Sequence, residues 1–252
     1  MTQQAPEIIR EETQHQLDLA TQPTKRLRQM LKAGEEVKHI WEVLDRTSDN
    51  VVGEILRHQG TFFEWDHYPK GDAYDRETHS QYFYHAHPSP MRDKEHGHFH
   101  TFIRRKGMPK SMRPAKNVDR SLWPTGDDAL AHVVGISMDQ KGFPLRMFTT
   151  NRWVTGETWY KAPDIIKLIG RYEMTHAQPS WPTNRWVSAM IRMFWPQVMV
   201  LLKARDQAIA AWAAKYPDAD PLEDRRLEIA AQTEISVDGQ IAAVRAALAS
   251  KS

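Results

Sequence analysis

His85-Ala-His87 and His96-Gly-His98-Phe-His100 place five histidines within sixteen residues, each group spaced every second position. Side chains two apart on an extended chain point to the same face, so each group lines its imidazoles up in a row. The chain holds 12 His in 252 residues, and an even scatter would put about one in such a window. Imidazole nitrogens in rows on neighbouring strands are the raw material of a metal site.

If residues 80–87 and 97–105 pair as an antiparallel hairpin across the loop 88–95, one register turns all five imidazoles to one side. Facing Cβ atoms then stand about 5 Å apart and i,i+2 neighbours about 7 Å apart, close enough for two imidazoles of one strand and one of the next to share an ion. His85, His87 and His98 are the expected principal ligands, with His96 or His100 as a fourth ligand or a support. Three protein ligands leave a coordination position open to water or substrate, as catalytic sites do. The arrangement resembles the metal site of cupins, which begins with His-x-His on one strand, and the His-x-His plus neighbouring-strand His of α-type carbonic anhydrases. The resemblance covers these few residues only. It departs from the cupin pattern in its acid, since the nearest carboxylates are Asp93 and Glu95.

Ligand imidazoles need an acceptor for their second N–H, and Asp66 or His67 could orient one or complete the ligand set. His132 could add a sixth nitrogen or support another ring, and Tyr84 precedes His85 on the opposite side of the same strand. These four are the candidate catalytic residues. Arg146 and Arg152 have the planar fork that grips carboxylate or phosphate, and Trp153 adjoins the second of them. Asp72 and Asp75 lack the glycine and terminal glutamate of a calcium loop.

With no cysteine in the chain, disulfides, thiolate zinc sites, iron–sulfur clusters and a cysteine nucleophile are excluded. Any metal must be held by nitrogen and oxygen. A formal charge of +2 falls short of the basic field of a nucleic-acid binder. The first residues lack the basic-then-apolar pattern of a signal peptide, and no apolar run reaches the roughly 18 residues of a membrane span. A cytoplasmic protein that meets neither nucleic acid nor membrane is the expectation.

The elements that must position these residues follow from periodicity. Residues 6–58 read as helices, with Leu27, Met30, Leu31, Val37, Ile40, Trp41 and Leu44 at three- and four-residue steps and a cap at Ser48-Asp49-Asn50. From Thr61 the texture becomes that of an antiparallel sheet, with strands near 62–67, 80–87, 97–105, 131–139 and 143–150, the last two joined by a turn at Gly142. The long connection 106–130, rich in Lys and Arg, reads as a lid, a binding loop or a disordered segment. Beyond Val154 helices return at 164–173, at 184–216 with a break at Pro196, and near 221–233 and 236–249. Thr-Asn-Arg-Trp-Val occurs at 150–154 and again at 183–187, each copy read as a threonine-capped helix start.

The sequence thus describes an α+β protein: residues 1–60 an N-terminal helical layer, 61–152 a central antiparallel sheet of about five strands with a His-rich site on its inner face, and 153–252 a C-terminal helical bundle, all in one domain. The expected cofactor is a transition-metal ion, with Fe, Cu and Zn undistinguished. The leading function is a non-haem metal oxidoreductase acting on a small polar or anionic substrate. The aromatic residues Tyr82, Tyr84, Phe99 and Trp153 favour redox chemistry over zinc hydrolysis. The rival is a non-catalytic metal- or haem-binding accessory protein of a larger enzyme system; a third reading is a helical interaction protein whose histidines sense pH. Ala-rich stripes on the C-terminal helices suit contact with a partner protein or a second copy.

Overall fold

In a computed structural model, described here for residues 17–88, 94–116 and 119–251, the chain runs helix α1 (Thr24–Asp45), α2 (Val51–Leu56), strands β1 (Tyr68–Tyr74), β2 (Ser80–His85), β3 (Gly97–Arg104), β4 (Leu130–Met138) and β5 (Pro144–Thr150), helices α3 (Arg152–Thr155), α4 (Ala162–Leu168), α5 (Trp181–Met193) and α6 (Trp195–Lys215), strand β6 (Ile229–Glu234) and helix α7 (Val237–Ala249). The expected helix over residues 6–16 lies outside the described residues. Leu27, Met30, Ala33, Val37, Ile40 and Leu44 form the buried stripe of α1, as their spacing requires. Asn50 caps α2 by accepting from the Val52 and Gly53 amides.

The sheet has six strands in the order β1-β2-β3-β4-β5-β6, every neighbouring pair antiparallel. Two strand expectations need correction. Residues 62–67 form no strand; the first strand is β1, one segment later. Gly71 at φ 82° and Asp72 at φ 60° mark an irregularity in the β1–β2 register between Tyr68 and Ala73, so turn-type residues sit inside a bulged strand. The sixth strand, β6, replaces the helix expected near 221–233. Alanine favours helix there, but pairing with β5 covers a sheet edge, and tertiary contact overrides propensity.

The expected break at Pro196 lies two residues earlier: α5 ends at Met193, and Pro196 occupies the first turn of α6, where its missing N–H costs nothing. The two helices meet at 73°. No single helix among the described residues is long and apolar enough to cross a membrane. The first Thr-Asn-Arg-Trp-Val copy is capped by Asn151, and the second lies inside α5, whose cap is Ser180; threonine caps neither. The 106–130 connection docks its Trp123 on Trp159 and Leu222.

Alternation divides the sheet. Tyr82, Tyr84, Phe99, Val134, Ile136 and Met147 join Val37 of α1 and Trp186 and Leu201 of the C-terminal helices in one hydrophobic core. Tyr82 Oη donates to Asn184 Oδ1 of α5 at 2.7 Å, and Thr149 Oγ1 donates to the Leu201 carbonyl of α6. The opposite face is crossed by two rungs of directly paired residues, His85–His98–Ser137–Arg146–Glu234 and Phe83–His100–Gly135–Phe148–Gln232. His85, His98 and His100 therefore occupy the face turned away from α5 and α6.

Gly135 is the hinge of the second rung. A Cβ there would lie 2.4 Å from Phe148 Cζ, so its absence lets the Phe148 ring lie across β4 toward His98 and His100, 5.2 and 5.6 Å away between centroids. Gly135→Ala should destabilise the protein by about 1–3 kcal/mol through overpacking, read as a lowered urea midpoint; an unchanged midpoint would show that Phe148 has room to move.

Asp75 ties the β1–β2 turn to the segment before α5. It is fully buried, accepting from the Glu77 and Thr78 amides and from the Thr175 amide and hydroxyl at 2.5–3.0 Å. Burial pushes its carboxyl up, but these bonds outweigh it and hold the group at about 2, below the ordinary 3.8. The stabilisation is present above the unfolded value and is lost as pH falls from about 4 toward 2, on the order of 2 kcal/mol in all. Unfolding free energies of Asp75→Asn and the parent, compared from pH 6 to 2, should converge in that window; a gap that stayed constant with pH would sink the assignment.

Candidate metal centre

Direct pairing of His85 with His98 in the β2–β3 ladder places their Nε2 atoms 2.6 Å apart, one N–H donating to the other's lone pair. His100 stands two residues along β3. His85, His98 and His100 each offer a nitrogen within 4.8 Å of the others', and His98 and His100 are buried while His85 is partly exposed. On a tetrahedral ion with bonds near 2.0–2.1 Å, ligand nitrogens stand about 3.3 Å apart, so rotations of well under 1 Å would convert the 2.6 Å contact into a shared coordination.

The outer nitrogens are held as metal-ligating histidines require. His98 Nδ1 donates to Glu95 Oε1 at 2.7 Å, and the second oxygen of Glu95 accepts from Ser137 Oγ. His100 Nδ1 and His132 Nε2 are bonded at 3.0 Å. Burial first, and the Arg205 charge second, push His132 down to about 3, so its ring is neutral. A carboxylate on one ligand and a neutral imidazole on another fix tautomer and ring orientation. Sequence reasoning missed Glu95 and Ser137 as supports, although Glu95 stands three residues before His98; the pairing of His98 with Ser137 is what brings the hydroxyl to it.

Four of the five expected ligands share this face. The His87 ring lies 5.0 Å from that of His85 and 5.1 Å from that of His98, beside the triad. His96 does not join them. It precedes the strand, where alternation no longer applies, and its Nδ1 bonds Tyr84 Oη at 2.6 Å on the opposite face. Gly97 permits this, because a Cβ there would fall 2.5 Å from Tyr84 Oη. Burial lowers His96 below the usual imidazole value and raises the Tyr84 phenol. Tyr84 is thus a core residue paired with His96, and the same alternation removes Tyr82 and Phe99 from the surroundings of the triad. The rings that do surround it are Phe83, Phe102 and Phe148.

Among the other expected residues, His67 reaches the edge of the cluster. It stacks on Phe83 at 3.6 Å and 9°, lies 5.7 Å from the His85 ring, and bonds Asp72 through Nδ1. Asp66 is exposed and takes no part in the triad. Arg146 stands on the His85–His98–Ser137 rung. Arg152 is buried and spent: its Nε and Nη2 engage Glu223, and its Nη1 donates to the Glu157 carbonyl at 3.1 Å, leaving no fork for a substrate. Trp153 donates to the Leu227 carbonyl and packs under Arg225. Glu157 itself accepts from the His132 amide; burial pushes its carboxyl up to about 7 against the pull of Arg205, the His132 amide and Arg152.

No curated protein and no solved structure matches the chain. The family described as Domain of unknown function (DUF6969) matches residues 31–235, a span that takes in all six strands and every histidine of the cluster. The chain belongs to that domain family of unknown function.

Proposed function

We propose that His85, His98 and His100 hold one transition-metal ion and that the protein is a metal-dependent enzyme, a non-haem oxidoreductase acting on a small polar or anionic substrate. The convergence of three imidazole nitrogens within 4.8 Å carries the reading, and the Glu95 and His132 bonds to the outer nitrogens support it. Three neutral ligands leave the ion's charge uncompensated, which favours an anionic oxygen donor in an open position. The Phe83, Phe102 and Phe148 rings supply an apolar shell that limits water and raises the strength of charge interactions, a setting suited to redox chemistry. Three nitrogens alone suit iron, copper and zinc alike.

Complete burial of His98 and His100 favours a second reading, a non-catalytic metal-binding accessory protein. The two differ in coordination: an enzyme keeps a position that an added anion such as azide can take, and a saturated site does not.

Protein prepared without a His tag after metal-replete growth should contain about one iron or copper ion per chain, with an absorption spectrum that changes between nitrogen and air. Less than about 0.3 equivalents of any transition metal would sink the metal assignment. A full complement of zinc with no response to air would sink the redox assignment alone.

His98→Ala should abolish stoichiometric metal while circular dichroism stays that of the parent, and Glu95→Gln should weaken metal affinity about 10- to 100-fold in competition with a chromophoric chelator. Normal metal content in His98→Ala would show that the ion, if any, binds elsewhere.

A further inference from the structure

Exposure around the cluster is graded in one direction. His98, His100 and His132 are at most 1% exposed, His85 is partly exposed, the His67 side chain is 45% exposed and Trp65 is 54% exposed. The solvent side of the triad is therefore the side of His85 and of the segment leading into β1. Flat rings stand near His85 there in two groups. In the first, the His67 ring lies face to face on Phe83, 5.7 and 5.4 Å from the His85 ring. In the second, the Trp65 ring meets His87 at 4.3 Å, and His87 stands 5.0 Å from His85.

Trp65 is not placed there by local preference. Its φ of 72° is a left-handed conformation that a bulky residue adopts only under strain. The Trp65 amide donates to the Ala86 carbonyl at 2.9 Å, which fastens the indole to the end of the strand that bears His85. An indole more than half exposed gains little from burial, so the fold spends strain to hold an aromatic face at the mouth of the cluster without burying it.

We propose that Trp65 is a substrate-positioning residue and that the ligand is a small planar aromatic molecule bearing an anionic oxygen donor, such as an aromatic acid, a phenolate or an aryl hydroxamate. Its oxygen takes the open position at the His85–His98–His100 centre, and its ring enters over His85 between the indole of Trp65 and the His67–Phe83 stack. The proposal rests on the metal reading. It adds what that reading lacks, a reason for one class of small anion over another: an aliphatic anion reaches the same ion but leaves the indole unpaired, while an aromatic one gains a stacking contact beyond its buried area.

The test uses the full-length metal-loaded protein and two probes with the same donor group, acetohydroxamate and benzohydroxamate, titrated by calorimetry after elemental analysis of each sample. The parent should bind benzohydroxamate at least about tenfold more tightly than acetohydroxamate. Trp65→Ala should lower that ratio toward one by weakening benzohydroxamate alone, with metal content and acetohydroxamate affinity unchanged. Trp65→Phe, which keeps an aromatic face, should retain most of the preference. Bound benzohydroxamate should also change Trp65 fluorescence, measured as the difference between parent and Trp65→Phe. Full metal content with no aromatic preference in the parent, or a preference untouched in Trp65→Ala, would overturn the role of Trp65 and leave the metal centre standing. Absence of metal would overturn the centre and this proposal together.

Discussion

The pairing of His85 with His98 is the constraint on which the rest depends. It brings two imidazole nitrogens into contact, and the alternation of β3 then delivers His100 to the same face. A slip of one residue in either strand would turn that strand's ligands to the helix side and its core residues outward. The register is held from the other face. Tyr82, Tyr84 and Phe99 pack beneath the helices, Tyr82 bonds Asn184 within α5, and the Phe99 ring contacts Trp186. The geometry of the candidate centre is therefore fixed by hydrophobic packing that never touches it.

The sheet divides its labour between two faces. One takes part in the core with α5 and α6, and the other carries His85, His98, His100, Ser137, Arg146, Phe83 and Phe148. The polar groups closest to the triad are paired. Glu95 is answered by His98 and Ser137, and His100 by His132, because an unanswered polar group at such depth costs more than a hydrogen bond returns. Gly135 shows that backbone choice belongs to the same arrangement, since only a residue without a side chain lets Phe148 lie over β4 beside the imidazoles.

Near the His132 end of β4, charge is managed differently. Glu157 approaches the strand through the His132 amide, while Arg152 is clasped by Glu223 and Arg205 by Asp206 and the Tyr160 carbonyl. Buried ions of this kind are costly to expose singly, so they fix where α3 and α6 meet the sheet more than they add net stability. This is why Arg152, whose residue type suited an anion clamp, has a structural partner instead.

Residue type and spacing were sufficient to mark the α+β class, the β2–β3 and β4–β5 hairpins, the α1 stripe, and four of the five histidines that share a face, because local periodicity is a property of neighbours along the chain. What lay beyond it depended on partners far away in sequence. The sixth strand exists because β5 offers an open edge to a segment far along the chain, which pairs Arg146 with Glu234 and Thr150 with Ile229. His96 leaves the site to bond Tyr84 on the other face because the strand begins only at Gly97. Glu95 acquires its role because Ser137 arrives opposite His98. Residue types set which atoms were available for chemistry; long-range strand pairing chose which of them meet, since a rung across a sheet joins residues that no spacing along the chain connects.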